Sequence, residues 1–219
     1  MTEIHIKTPL IQTLGLGRDL PGRVWLKLDA LQPSGSFKLR GVGHACRRYR
    51  EKGATAFLAS SGGNAGLAVA CAGRQLGVPV TVVVPETTSQ RAMDLIASEG
   101  ADVQVVGHDW MAAHTHALEL ARDDTAYIHP FDDPYLWEGH ATVIDEVAQA
   151  GVKPNVVVLS VGGGGLLCGA IEGLRRNGWA DTPILAVETV GADSLATALA
   201  AGEHVGVDGI TSIATSLGA

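Results

Sequence analysis

Short β-branched runs alternate with helix-spaced apolar runs along most of the chain. Strands are predicted over 55–59 (TAFLA), 80–84 (VTVVV), 102–106 and 126–128. Between them, helical spacing covers 63–76, 89–98 and 110–122, and Gly77 with Pro79 stops the first of these. Parallel neighbours need a crossover, so this series implies a parallel sheet with helices on its faces. A second series follows: a helix over 136–150, a strand over 155–161, a helix over 166–176 and a strand over 184–188. The 155–161 run, NVVVLSV, is nearly continuous in apolar residues, as in a strand buried on both faces. Ahead of both series, 23–28 alternates as a strand should. Over 36–52, Leu39, Val42, Cys46 and Tyr49 fall on one side of a predicted helix. No element is predicted over 202–219.

Composition narrows the function. The 219 residues suffice for one large domain or two small ones. A hydrophobic share of 46% excludes a disordered polyelectrolyte. The 28 glycines imply tight turns or loops pressed close to a ligand. Net charge is −7 and no basic run offers a phosphate-backbone footprint, so nucleic acid is not an expected partner. The densest basic stretch, Arg47-Arg48-Tyr49-Arg50, reads as a solvated helix face. Cys46, Cys71 and Cys168 lie in apolar helical stretches and behave as small hydrophobes, which points to a reducing compartment. The first residues, MTEIHIKTPLIQ, carry no signal-peptide core, and the apolar runs are too short to span a bilayer. A cytoplasmic, soluble protein without a membrane partner is expected.

Three loops could carry chemistry. Gly162-Gly163-Gly164-Gly165 joins the 155–161 strand to the next helix, leaving backbone amides free at a positive helix end. That is an anion cradle suited to phosphate; four glycines in a plain flexible turn would cost much entropy. The spacing fails both the dinucleotide fingerprint and the P-loop pattern. Ser60-Ser61-Gly62-Gly63-Asn64-Ala65-Gly66 also joins a strand to a helix, and suits a small carboxylate or a ring hydroxyl as well as it suits an ordinary helix cap. Lys38 lies in the first turn of a predicted helix, whose N-terminus disfavours a cation and so favours the nucleophilic amine. By itself a lone lysine is more commonly a solvated surface group. Weaker candidates are His114 with His116, which face different sides of a helix, and Asp132 with Asp133, which read as a turn before Pro134. Glu138 and His140 read as core-edge groups, and Glu188 as a strand end.

In this order, PSGSFKLRG, SSGGNAG and SVGGGGLLCG resemble the fold-type II pyridoxal-phosphate enzymes, and FDDPYLWEGHAT strengthens the likeness to members that dehydrate L-serine and L-threonine. The resemblance runs from about Lys7 to Ala219 and makes Lys38 a functional group. It implies an α/β, two-lobed open parallel-sheet (αβα) fold of the tryptophan synthase β-like type, without its C-terminal part. By the same resemblance, 1–37 and 135–219 form a large cofactor-binding domain and 38–134 a small βα domain. Lys38 would hold pyridoxal 5'-phosphate as a Schiff base, with Phe37 on one ring face and Asn64 on the ring hydroxyl. Ser61, Gly62, Gly63 and Asn64 would bind the substrate carboxylate; Gly162, Gly163, Gly164, Gly165 and Leu166 would hold the phosphate. A monovalent cation such as potassium is implied at Gly162, Glu188, Ala192, Ser194, Leu217 and Ala219, and a homodimer as the assembly.

Racemases of this kind carry a serine where this chain has Gly62, so elimination is expected over racemisation. Glycine there is also expected to leave more room at the substrate. The relatives continue past the position of Ala219, supplying a group that faces the pyridine nitrogen; a fragment, a cleaved product or a gene product without that contact is the expectation that follows. Ser216 stands where the family usually has alanine against the ring. The implied reaction is α,β-elimination, in which Lys38 takes the Cα proton and the β-hydroxyl leaves, giving pyruvate and ammonia from serine and 2-oxobutanoate from threonine. Three alternatives remain: a non-catalytic pyridoxal-phosphate or amino-acid-binding protein, another fold-type II reaction such as β-replacement or threonine synthesis, and a nicotinamide-dependent dehydrogenase.

Overall fold

β1 (Leu10–Thr13) pairs antiparallel with β2 (Val24–Lys27), Leu10 opposite Lys27 and Thr13 opposite Val24. The computed structural model describes residues 3–207, 209–214 and 217. A 3₁₀ turn (Asp29–Leu31) follows the hairpin and leads to α1 (Lys38–Glu51). Leu39, Val42 and Cys46 on its inner side are fully buried, as their spacing predicts.

The first predicted series then appears in full: β3 (Ala56–Ala59), α2 (Asn64–Leu76), β4 (Val80–Val84), α3 (Gln90–Ser98), β5 (Asp102–Val105), α4 (Trp110–Glu119) and β6 (Thr125–Tyr127). The four strands are parallel in the order β5-β4-β3-β6. Side chains alternate across β4. Val82 and Val84 therefore join the core shared with α2, while Val83 faces Ala113 and Ala117 of α4. Both sheet faces are covered, which explains why VTVVV is apolar at every position but Thr81.

The second series gives α5 (Pro134–Gln149), β7 (Val157–Ser160), α6 (Gly165–Arg176), β8 (Ile184–Val187) and α7 (Ser194–Ala201). β7 and β8 form a parallel pair of their own, Val157 opposite Ile184. Here the structure corrects the sequence. Val157 and Leu159 pack on Ile144, Ala170 and Leu174, but Val158 is 60% exposed and Leu185 56%, so β7 is buried on one face only. β1 and α7 also lie outside the predicted elements.

α1, α5 and α6 meet through glycines. A Cβ on Gly41 would come within 2.5 Å of His140 Nε2, and one on Gly139 within 2.5 Å of the Arg40 carbonyl oxygen. Small residues at these crossings bring the helix backbones together. A charged cluster then fixes α1. Arg40, fully buried, donates from Nε and Nη2 to the two Asp29 oxygens (2.6 and 2.8 Å) and from Nη1 and Nη2 to the two Glu146 oxygens (2.6 and 3.0 Å). Lys27 joins Glu146, so two cations face two carboxylates across β2, the 3₁₀ turn, α1 and α5. Among the solvated arginines predicted on α1, Arg47 is instead folded against Glu3 with its side chain 15% exposed.

Candidate active site

Gly35, with φ at 75°, turns the chain into α1, so that Phe37 is its N-cap and Lys38 its first residue. Lys38 Nζ donates to the Pro130 carbonyl at 2.5 Å and lies 5.5 Å from the centroid of the Phe37 ring. Burial lowers its pKa to about 8, because the ammonium exchanges water for an apolar surround. The sequence assigns this effect to the helix end; the structure supplies burial as the cause. The Phe37 ring tilts against His140, centroids 5.2 Å apart. His140 is fully buried, and neither ring nitrogen has a hydrogen-bond partner. Burial, then the Lys38 and Arg40 charges, lower its pKa to about 3. It is a neutral packing group, in line with its core-edge reading.

Pro130 ties Lys38 to the glycine loop. The next residue, Phe131, is held by Trp137 Nε1, which donates to its carbonyl at 2.9 Å. A Cβ on Gly163 would overlap the Phe131 ring, and one on Gly165 would come within 2.8 Å of its carbonyl oxygen. Gly164 is the N-cap of α6 with φ at 81°, and no side chain caps that helix end. Its first amides, including that of Leu166, are thereby left for an anion.

The second loop leaves the C-terminal end of β3, beside the end of β6 that continues to Pro130. Ser61 Oγ accepts the Gly63 amide at 3.3 Å, and a Cβ on Gly66 would collide with the Ser61 carbonyl. Asn64 opens α2, exposed, and its side chain makes no hydrogen bond to the other site residues described. Gly62 overturns one expectation. A Cβ there would come within 2.5 Å of Thr88 Cγ2 and Oγ1, so the room expected above this glycine is filled by threonine.

Among the cation candidates, Leu217 presents its carbonyl oxygen 3.0 Å from where a Gly162 Cβ would stand. Val161, just before Gly162, bonds the Val187 carbonyl, just before Glu188. Both Glu188 oxygens accept amides, from Leu195 and Ala196 at 2.8 Å, which makes it the cap of α7 rather than a bare strand end. Ala192 is buried and Ser194 begins α7. Ser216 and Ala219 lie outside the described residues. Among those described, no three His, Cys, Asp or Glu side chains gather as for a metal ion. Asp133, read as a turn, caps α5 by accepting the Tyr135 amide at 2.7 Å and also binds the Tyr49 hydroxyl. Pro130 and Thr88 were not legible beforehand, since a backbone carbonyl and a half-buried threonine leave no motif; Phe131 opens the FDDPYLWEGHAT stretch, but nothing in that stretch showed its ring packing on the glycine loop.

The family model for pyridoxal-phosphate dependent enzymes matches residues 1–219. The human L-serine dehydratase/L-threonine deaminase is 48% identical over 218 residues, covering 98% of this chain and 66% of that protein. The crystal structure of a fungal L-serine ammonia-lyase from Rhizomucor miehei superposes with a TM-score of 0.92 at 37% identity, covering 100% of this chain and 70% of that one. The processed form of threonine deaminase isoform 2 from Solanum lycopersicum gives 0.89 at 32% identity, covering 98% and 63%. The chain thus spans about two thirds of the length of the relatives it matches.

Proposed function

The chain belongs to the pyridoxal-phosphate dependent enzyme family, and from that membership we propose that it converts L-serine to pyruvate and ammonia, and L-threonine to 2-oxobutanoate and ammonia. The observation that carries this reading is the Lys38 amine, buried and held by Pro130 one residue from the ring on which the glycine loop packs. The residues suit the cofactor. Lys38 offers an amine whose proton is easily lost, α6 an uncapped amide end for a phosphate, and Asn64 a side chain free for a ring hydroxyl. Pyridoxal phosphate, when bound, supplies an aldehyde for the amino group and a ring that withdraws electrons from Cα.

This chain's own residues do the rest. Phe37 presents its ring beside the amine, and His140, fully buried, backs that ring. Ser61, Gly62, Gly63 and Asn64 bind the substrate carboxylate through loop amides and side-chain donors. Lys38 takes the Cα proton and the departing β-hydroxyl carries that proton away as water; the released enamine then hydrolyses to the 2-oxo acid and ammonia. Gly62 carries no side chain that could return a proton to the opposite face, which favours elimination over racemisation. Purified chain supplied with pyridoxal phosphate and L-serine is expected to release pyruvate and ammonia in equal amounts. Lys38→Ala is expected to abolish this; near-normal release from that variant would refute the assignment.

The same reading extends to a homodimer in the cytoplasm and to a monovalent cation such as potassium beside the glycine loop. The three free cysteines support a reducing compartment. No described helix is long and apolar enough to cross a membrane. Leu14, Leu16 and Leu20 stand exposed between β1 and β2, an apolar surface suited to a second copy. The adjoining Leu217 carbonyl and Gly162 support the cation.

A further inference from the structure

Behind the second loop lies a row of side chains that the reaction itself does not use. Ser60, fully buried, places its Oγ 2.6 Å from the Tyr127 hydroxyl, and that hydroxyl lies 2.7 Å from His114 Nδ1. The residues come from three elements. Ser60 follows β3, Tyr127 ends β6 and His114 sits within α4. Strand register sets Leu58 opposite Tyr127, which carries the phenol across to the residue two places further along β3's exit. His114 is held in turn by Trp110, whose ring stacks on it at 4.8 Å and 12°.

We propose that Tyr127 and His114 are positioning residues for the 60–63 loop, acting through Ser60 to set the affinity for the amino-acid carboxylate. This rests on the reading of that loop as the carboxylate site. Burial raises the Tyr127 pKa, so the phenol keeps its one hydrogen. With one hydrogen and two bonds, the phenol can donate to one partner and accept from the other, which ties Ser60 to α4 through a single oxygen. Gly62 and Gly63 give the loop wide backbone freedom, so an anchor at Ser60 decides where its amides stand before a ligand arrives. Neither Tyr127 nor His114 touches the substrate in this account; their effect is preorganisation.

The test is calorimetric binding of L-alanine to the cofactor-loaded chain. L-alanine has the α-carboxylate but no β-hydroxyl to lose, so binding is read apart from turnover. Tyr127→Phe is expected to weaken L-alanine roughly three- to tenfold, the worth of one or two neutral hydrogen bonds, with cofactor affinity unchanged. His114→Phe keeps the stacked ring at a half-buried site and is expected to weaken binding roughly twofold. The double variant should be no weaker than Tyr127→Phe alone, because both bonds meet at one oxygen. Should Tyr127→Phe fail to fold, His114→Phe decides by itself. Unchanged L-alanine affinity in the folded variants, loss of cofactor affinity in parallel, or no L-alanine binding to the parent would overturn the proposal. A parent that binds L-alanine yet releases no ammonia from L-serine would sink the dehydratase reading and leave this one standing.

Discussion

Lys38 lowers the stability of the fold at neutral pH, which follows from its burial. Its pKa falls from 10.5 to about 8, so between these values the unfolded chain binds a proton that the folded chain does not. Stability therefore rises with pH across that window, and below it the whole penalty, about 3 kcal/mol, is present. Lys38→Met should be more stable than the parent near neutrality, and the gap should close as the pH rises through the window. Urea unfolding of the cofactor-free chain at several pH values measures this. Gly62 makes a second case. Its missing Cβ is replaced by Thr88 at 2.5 Å, so Gly62→Ala should cost about 1–3 kcal/mol through crowding. Thr88→Ala in that background should recover most of the loss, as thermal unfolding of the two variants would show.

At the scale of elements, α1 carries Lys38, and its anchoring is electrostatic as well as apolar. Arg40→Met would leave Asp29 and Glu146 as carboxylates without their guanidinium in a buried setting, at a cost of about 3–5 kcal/mol. Arg74, whose side chain is 54% exposed, pairs with Glu99 at 2.7 Å on the surface, where water screens the pair, and Arg74→Met should shift stability far less than Arg40→Met. Shifts of the urea midpoint for the two variants compare them directly. The alternating strands and helices between β3 and β6 were legible because each strand is bounded by Gly, Pro or a capping residue, and β4 is covered on both faces. β1 was not, since LIQT is short and half-open. α7 was not, since SLATALAA has no buried side to create a period. Arg40 was invisible for a related reason: nothing near it in sequence predicts Glu146, 106 positions away.

For the whole molecule, the three loops that carried the resemblance were legible as loops, and the fold brings two of them to the Pro130–Phe131 corner. What joins them was not. The bond from Lys38 to the Pro130 carbonyl spans 92 positions and involves a backbone atom that any residue would offer. The reading of 155–161 as doubly buried failed at this scale too. An apolar run reports what a strand prefers, but which faces are covered depends on neighbours elsewhere in the fold, and here Val158 and Leu185 are open. The central claim is that Lys38 is where pyridoxal phosphate attaches. Borohydride reduction of the cofactor-loaded chain, followed by peptide mass analysis, tests it most directly. The account predicts one cofactor-sized mass increment, on the peptide containing Lys38. An increment on another lysine with Lys38 unmodified, or no increment at all, would contradict it.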